Sequence, residues 1–254
     1  MFKKSKKIFA VSFIVATLAA CADTAQINQE AASSYTQTIN QARAKGVVDT
    51  SSATSKRIQS VFNQMVPYAD KENTTGVKFN WQLTVVKSNE LNAWAMPGGK
   101  MMFYTGLVDK LNLTNDEIAV VMGHEMAHAL QEHGKQSRNV GIMTGILGAA
   151  ADIAAAATLG VDTGGLGGTV ADLGVNKPFS RSNETEADEI GLFLMAKAGF
   201  NPQAAPQLWV KMQKAGGSNG PSLLSTHPSD ASRQENLQRL MPEALKIYKA
   251  RNSK

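Results

Sequence analysis

The sequence predicts an α+β fold that is mainly helical, and three observations carry the prediction. Ile58, Val61, Phe62 and Met65 recur at helical spacing, Thr114-Asn115-Asp116-Glu117 has the form of a helix-opening capping box, and short β-rich runs flank Pro97-Gly98-Gly99. The chain has 254 residues, enough for one domain with a sizeable core plus flanking segments.

Residues 1–20 carry Lys3, Lys4, Lys6 and Lys7, then the apolar run Ile8 to Leu18, then Ala19-Ala20 before Cys21. A basic start, a short apolar stretch and small residues at a cleavage point read as a signal peptide, and the apolar run is too short to span a bilayer. Leu18-Ala19-Ala20-Cys21 also resembles a bacterial lipobox, which implies cleavage before Cys21 and attachment of lipid to its sulfur. Ala22, where lipoproteins retained in the inner membrane usually carry Asp, favours the periplasmic face of the outer membrane in a Gram-negative envelope. Without residues 1–20 the formal net charge drops from +5 to +1, because four lysines and no acids are lost. Nucleic acid is therefore excluded as a partner. The single cysteine also excludes an intramolecular disulfide and a cysteine-cluster metal site.

Residues 21–54 are rich in Ala, Ser, Thr, Gln and Asn and read as a tether with one helix around Ile27 to Ala44. The compact domain, residues 55–254, opens with the amphipathic helix of Ile58 to Met65, expected to end at Pro67. Segments Trp81 to Lys87, Leu91 to Met96 and Lys100 to Tyr104 then read as a small antiparallel sheet, with Pro97-Gly98-Gly99 as a turn. The capping box starts a helix that should run to about Glu132. Residues 141–175 are almost entirely Gly, Ala and aliphatic, and read as a packed or membrane-grazing hairpin or a glycine-rich lid; Asp152 argues against a span. A further helix is expected from Arg181 to Ala198, ending at Gly199, and another after Pro228.

Three of the four histidines lie within ten residues, and two of them form His124-Glu125-Met126-Ala127-His128 on the predicted helix. An i, i+4 spacing puts both imidazoles on one face, where they can reach one zinc ion at about 2.0–2.1 Å. Glu125 projects beside that face, placed to take a proton from water. A catalytic zinc needs a third protein ligand. In a continuous helix His133 would lie about 140° away from the His128 face, so it reads as a helix-end histidine or a support behind a ligand. Glu184 and Asp188 share a face of the later helix: one carboxylate could bind metal while the other accepts the free ring N–H of a ligand histidine. Glu186 points elsewhere and reads as solvated.

The combination of His124-Glu125-x-x-His128, Ser180-Arg181-x-x-Glu184-x-x-x-Asp188 and Thr226-His227-Pro228 resembles metallopeptidase family 48, a gluzincin group. Asn92-Ala93-Trp94-Ala95-Met96-Pro97-Gly98-Gly99 and Tyr104-Thr105-Gly106-Leu107 resemble the same family's strand-and-turn segment, so the likeness runs from about Ser55 to Ala250. It implies one zinc per chain on His124, His128 and Glu184, Glu125 as general base, and Asp188 orienting a histidine. It places His227 near the metal as a fourth resting ligand or an oxyanion stabiliser, and Arg233 near the same point. Asn92, Ala93, Trp94, Ala95 and Met96 are then an edge strand for extended substrates. The expected function is hydrolysis of misfolded or extended cell-envelope proteins by a lipid-anchored metalloendopeptidase. The other expectation is a chaperone or assembly factor for outer-membrane proteins, with its proteolysis held off and the assembly machinery as partner.

Overall fold

The computed structural model describes residues 23–137, 178–215, 223, 226–227 and 231–253. The expected signal peptide, Cys21 and the Gly/Ala-rich stretch 141–175 lie outside the described residues. Helices α1 (Thr24–Ala44) and α2 (Ala53–Glu72) precede strands β1 (Gln82–Val86), β2 (Ala93–Met96) and β3 (Lys100–Tyr104). Helices α3 (Thr105–Leu111), α4 (Asn115–Leu130), α5 (Arg181–Ala198), α6 (Ala204–Ala215) and α7 (Ala231–Asn252) follow. Among the described residues, no helix is long and apolar enough to cross a membrane.

The sheet has the order β1-β3-β2 and is mixed, where the sequence suggested antiparallel pairing throughout. β2 and β3 do form the expected antiparallel hairpin about Gly98 and Gly99, both at positive φ. β1 instead lies parallel to β3, with Gln82 opposite Lys100 and Val86 opposite Tyr104. All five residues of β3 are buried, because the strand is central and covered on both faces, so it shows no alternation that would reveal its neighbours.

Two further expectations are corrected. α2 continues through Pro67, whose exposed position leaves the Asn63 carbonyl that lacks its helical donor on a solvent-facing side. And the tether of residues 21–54 contains a packed element: α1 buries Ile27, Ala31, Tyr35, Thr38 and Ala42 along one stripe against the sheet. The Tyr35 hydroxyl donates to the Met101 carbonyl at 2.9 Å and lies 2.8 Å from Thr84 Oγ1.

α4 opens with the capping box read from sequence: the Thr114 hydroxyl accepts from the Glu117 N–H, and Glu117 Oε2 accepts from the Thr114 N–H at 2.8 Å. α4 and α5 then pack backbone to backbone. A Cβ on Gly123 would lie 2.7 Å from the Gly191 carbonyl oxygen, and one on Gly191 2.8 Å from the Gly123 carbonyl carbon. Only glycine at both positions permits this approach. It brings the histidines of one helix against the carboxylates of the other.

Candidate metal centre

Four side chains converge in the buried layer between α4 and α5. His124 and His128 come from adjacent turns of α4, Glu184 from the first turn of α5, and His227 from the segment before α7. His124 Nε2 lies 3.0 Å from His128 Nε2 and 3.2 Å from His227 Nδ1. Glu184 Oε1 lies 2.9 Å from His227 Nδ1 and 3.5 Å from His128 Nε2. Donors bonded at 2.0–2.1 Å to one tetrahedral ion sit about 3.3 Å apart, so this spacing fits a single zinc. Glu184 Oε2 is buried, makes no hydrogen bond of good geometry, and lies 3.5 Å from His124 Nε2.

The surrounding groups hold these four in place. His124 Nδ1 is 2.9 Å from Asp188 Oδ1, which can accept a proton on the side away from the cluster and so orients Nε2 toward it for a metal. Asp188 is clamped by Arg233, whose Nε and Nη2 donate to its two oxygens at 2.6 and 2.8 Å. Arg233 Nη1 reaches Glu184 Oε2 at 3.0 Å, and the guanidinium lies 4.4 Å over the Trp209 ring. The structure therefore turns Arg233 toward the carboxylates that carry the site. Its only spare signal in the sequence was i, i+4 acids on α5 in need of a cation.

Burial and charge act on these groups in opposite senses. Burial alone would push the His124 imidazolium down, but Asp188 and Glu184 outweigh it and hold the group up at about 10 in the metal-free protein. Burial pushes His128 well below the ordinary histidine range, reinforced by neighbouring positive charge. Glu184 and Asp188 are held below the usual carboxylate range despite burial, by their histidine partners and, for Asp188, by Arg233.

Glu125 is on α4 beside the cluster, 2 % exposed, and its Oε1 has no hydrogen-bond partner. His227 Nε2 lies 3.5 Å from that oxygen. Burial pushes the Glu125 carboxyl up, while His227, His124 and the nearby Ala95 backbone N–H pull it back. That N–H belongs to β2, which packs against α4. Because the Tyr104 N–H donates to the Asn92 carbonyl, Asn92, Trp94 and Met96 direct their backbone groups to β3. Ala93 and Ala95 present theirs to the opposite edge, which faces Glu125. The Leu223 N–H donates to the Leu91 carbonyl and the His227 N–H to the Leu223 carbonyl, tying His227 to the same strand.

His133 is the residue whose place the sequence reading left open. The chain leaves helical geometry after α4, with Glu132 at φ 54°, and His133 turns back to place Nδ1 2.9 Å from His128 Nδ1. Its Nε2 lies 3.1 Å from Glu186 Oε2, so Glu186 is engaged at its tip, not merely solvated.

A buried pair of helical histidines, an opposed glutamate and an adjacent unliganded glutamate define a metallopeptidase of the HExxH class. Residues 52–241 match the model of peptidase family M48, and the chain belongs to that family, whose metal is zinc. It is 37 % identical to the mitochondrial metalloendopeptidase OMA1 of Arabidopsis thaliana over 172 residues, 67 % of this chain and 34 % of that protein. It is 30 % identical to the metalloprotease LoiP of Escherichia coli K12 over 186 residues, 72 % of this chain and 68 % of LoiP. A 26 % identity to E. coli metalloprotease YcaL extends over 92 % of this chain and 96 % of YcaL. The matched region spans about a third of the length of the plant OMA1 protein.

Proposed function

We propose that the chain is a zinc-dependent metalloendopeptidase that cleaves extended or misfolded cell-envelope proteins while anchored by lipid on Cys21 to the periplasmic face of the outer membrane. The observation that carries the catalytic reading is Glu125: a buried carboxylate with an unmet oxygen, next to but outside the His124–His128–Glu184 cluster. The extended-substrate reading is supported by β2, which is an edge strand among the described residues and whose Ala93 groups and Ala95 carbonyl point away from β3, where a peptide backbone could pair.

Bound zinc supplies a lowered pKa for water, to about 7, and polarisation of the scissile carbonyl. Glu125 accepts the proton of the attacking water and passes it to the leaving amine, a task suited to a carboxyl that burial has raised. Asp188, clamped by Arg233, holds the His124 ring with Nε2 directed at the metal position. β2 aligns the substrate backbone alongside Glu125.

His227 occupies the fourth position of the cluster, with Nδ1 toward His124 and Glu184. Seated there it would compete with water and substrate, a resting arrangement; displaced, its imidazole would be a donor for the developing oxyanion. This seat also favours a second reading, a chaperone or assembly factor whose proteolysis is held off. His227→Ala is expected to raise casein cleavage several-fold if the resting role dominates; a fall of about 10²-fold or more would assign the residue to the oxyanion. The function is tested by chelating the purified chain and reloading it with zinc: degradation of unfolded casein should vanish and return, and Glu184→Ala should bind zinc poorly and not recover. Casein degradation insensitive to chelation would overturn the reading.

A further inference from the structure

We propose that His133 and Glu186 form a positioning relay that fixes the tautomer and ring angle of His128, so that metal affinity depends on a histidine outside both recognised motifs. The inference rests on reading His124, His128 and Glu184 as the metal ligands, and it adds residues to that reading.

His128 directs Nε2 at the cluster, 3.0 Å from His124 Nε2 and 3.5 Å from Glu184 Oε1. A ligating nitrogen needs a bare lone pair, so the His128 proton must sit on Nδ1. The atom facing Nδ1 is another imidazole nitrogen, His133 Nδ1 at 2.9 Å, and two such nitrogens at that distance share one proton. His128 Nδ1–H therefore donates, and His133 Nδ1 accepts. That places the His133 proton on Nε2, where Glu186 Oε2 accepts it at 3.1 Å. Every group in the chain from cluster to surface then has one defined role.

The arrangement is built, not incidental. His133 is fully buried, so water has no access to replace it behind His128. Helical continuation would carry it to another face; Glu132, a non-glycine residue in the left-handed region, turns the backbone so that it returns to His128. Phe179 stacks on the His128 ring at 4.2 Å and 22°, confining rotation about the same bond. Its counterpart supports the other histidine: His124 Nδ1 donates to Asp188, and Arg233 holds Asp188. Both acids, Glu186 and Asp188, project from α5, one to each ligand of α4. The two supports differ in charge. Asp188 is a buried anion in direct contact, whereas His133 is neutral and its carboxylate stands one ring further out, with a side chain 48 % exposed.

The test measures zinc dissociation by chelator competition on the full-length chain, together with ring-nitrogen ¹⁵N NMR of the zinc-loaded protein. His133→Phe keeps volume but cannot accept, and is expected to weaken zinc binding by about 10- to 100-fold. Glu186→Ala should weaken it less, and Glu186→Gln, whose amide oxygen can still accept from Nε2–H, should restore wild-type affinity. The spectrum should show protons on His128 Nδ1 and His133 Nε2. Wild-type affinity in His133→Phe, or a proton on His133 Nδ1, overturns the relay. If His133→Phe does not fold, Glu186→Ala and the wild-type spectrum decide. Failure of the ligand assignment reads differently: the wild-type chain would then bind no zinc, or His128→Ala would bind it as well as wild type.

Discussion

Between α1 and the sheet the interior holds Tyr35, Trp94, Met96, Met102 and Tyr104; between α4 and α5 it holds four histidines, Glu125, Glu184, Asp188 and, from α7, Arg233. Apolar burial stabilises by roughly 25 cal/mol per Å² with little regard to orientation. Buried polar and charged groups cost free energy unless each is paired. The second layer is therefore geometrically fixed: apart from the free Glu125 Oε1, its ring nitrogens and carboxylates are held by one another and by Arg233, and removing one strands another. The first tolerates side-chain exchange, and the second tolerates little, because its stability and its metal site are the same set of contacts.

Three measurements break or sharpen that contrast. The largest effect is expected from Gly191→Val, whose side chain must enter the Gly123 backbone; overpacking of about 3 kcal/mol should appear in urea unfolding, with zinc affinity falling as α4 and α5 part. If zinc affinity holds, the helix approach is not what assembles the site. Next, stripping zinc should lower unfolding free energy by about 2.7 kcal/mol when metal had been present at 100-fold over its dissociation constant. Tyr35→Phe removes the hydroxyl that bonds the Met101 carbonyl and faces Thr84 Oγ1 and should cost about 1 kcal/mol, smaller than the zinc increment and leaving that increment intact. A change in zinc affinity in this variant would show that the two layers are coupled.

The same contrast sets what could be read from the chain. The ligand pair His124 and His128, the Glu184/Asp188 spacing and the Thr114–Glu117 cap were legible because each is a local relation within one helix. β1 was misread because its partner β3 is buried on both faces and carries no pattern that distinguishes parallel from antiparallel. The packing of α1 was missed because its buried stripe runs through Ala31, Thr38 and Ala42, residues too small or polar to raise a hydrophobic signal. His133 eluded helical geometry because the helix ends at Leu130 and Glu132 adopts positive φ, a turn that no glycine announces. Arg233 meets its carboxylates only through the packing of α7 on α5, a contact 45 residues apart in sequence.

The central claim is that Glu125 does chemistry beside the metal without holding it. Zinc content and casein cleavage measured together on Glu125→Gln decide this. The account predicts wild-type zinc binding with cleavage reduced by about 10²- to 10⁴-fold. Cleavage at the wild-type rate, or loss of zinc along with activity, would contradict it.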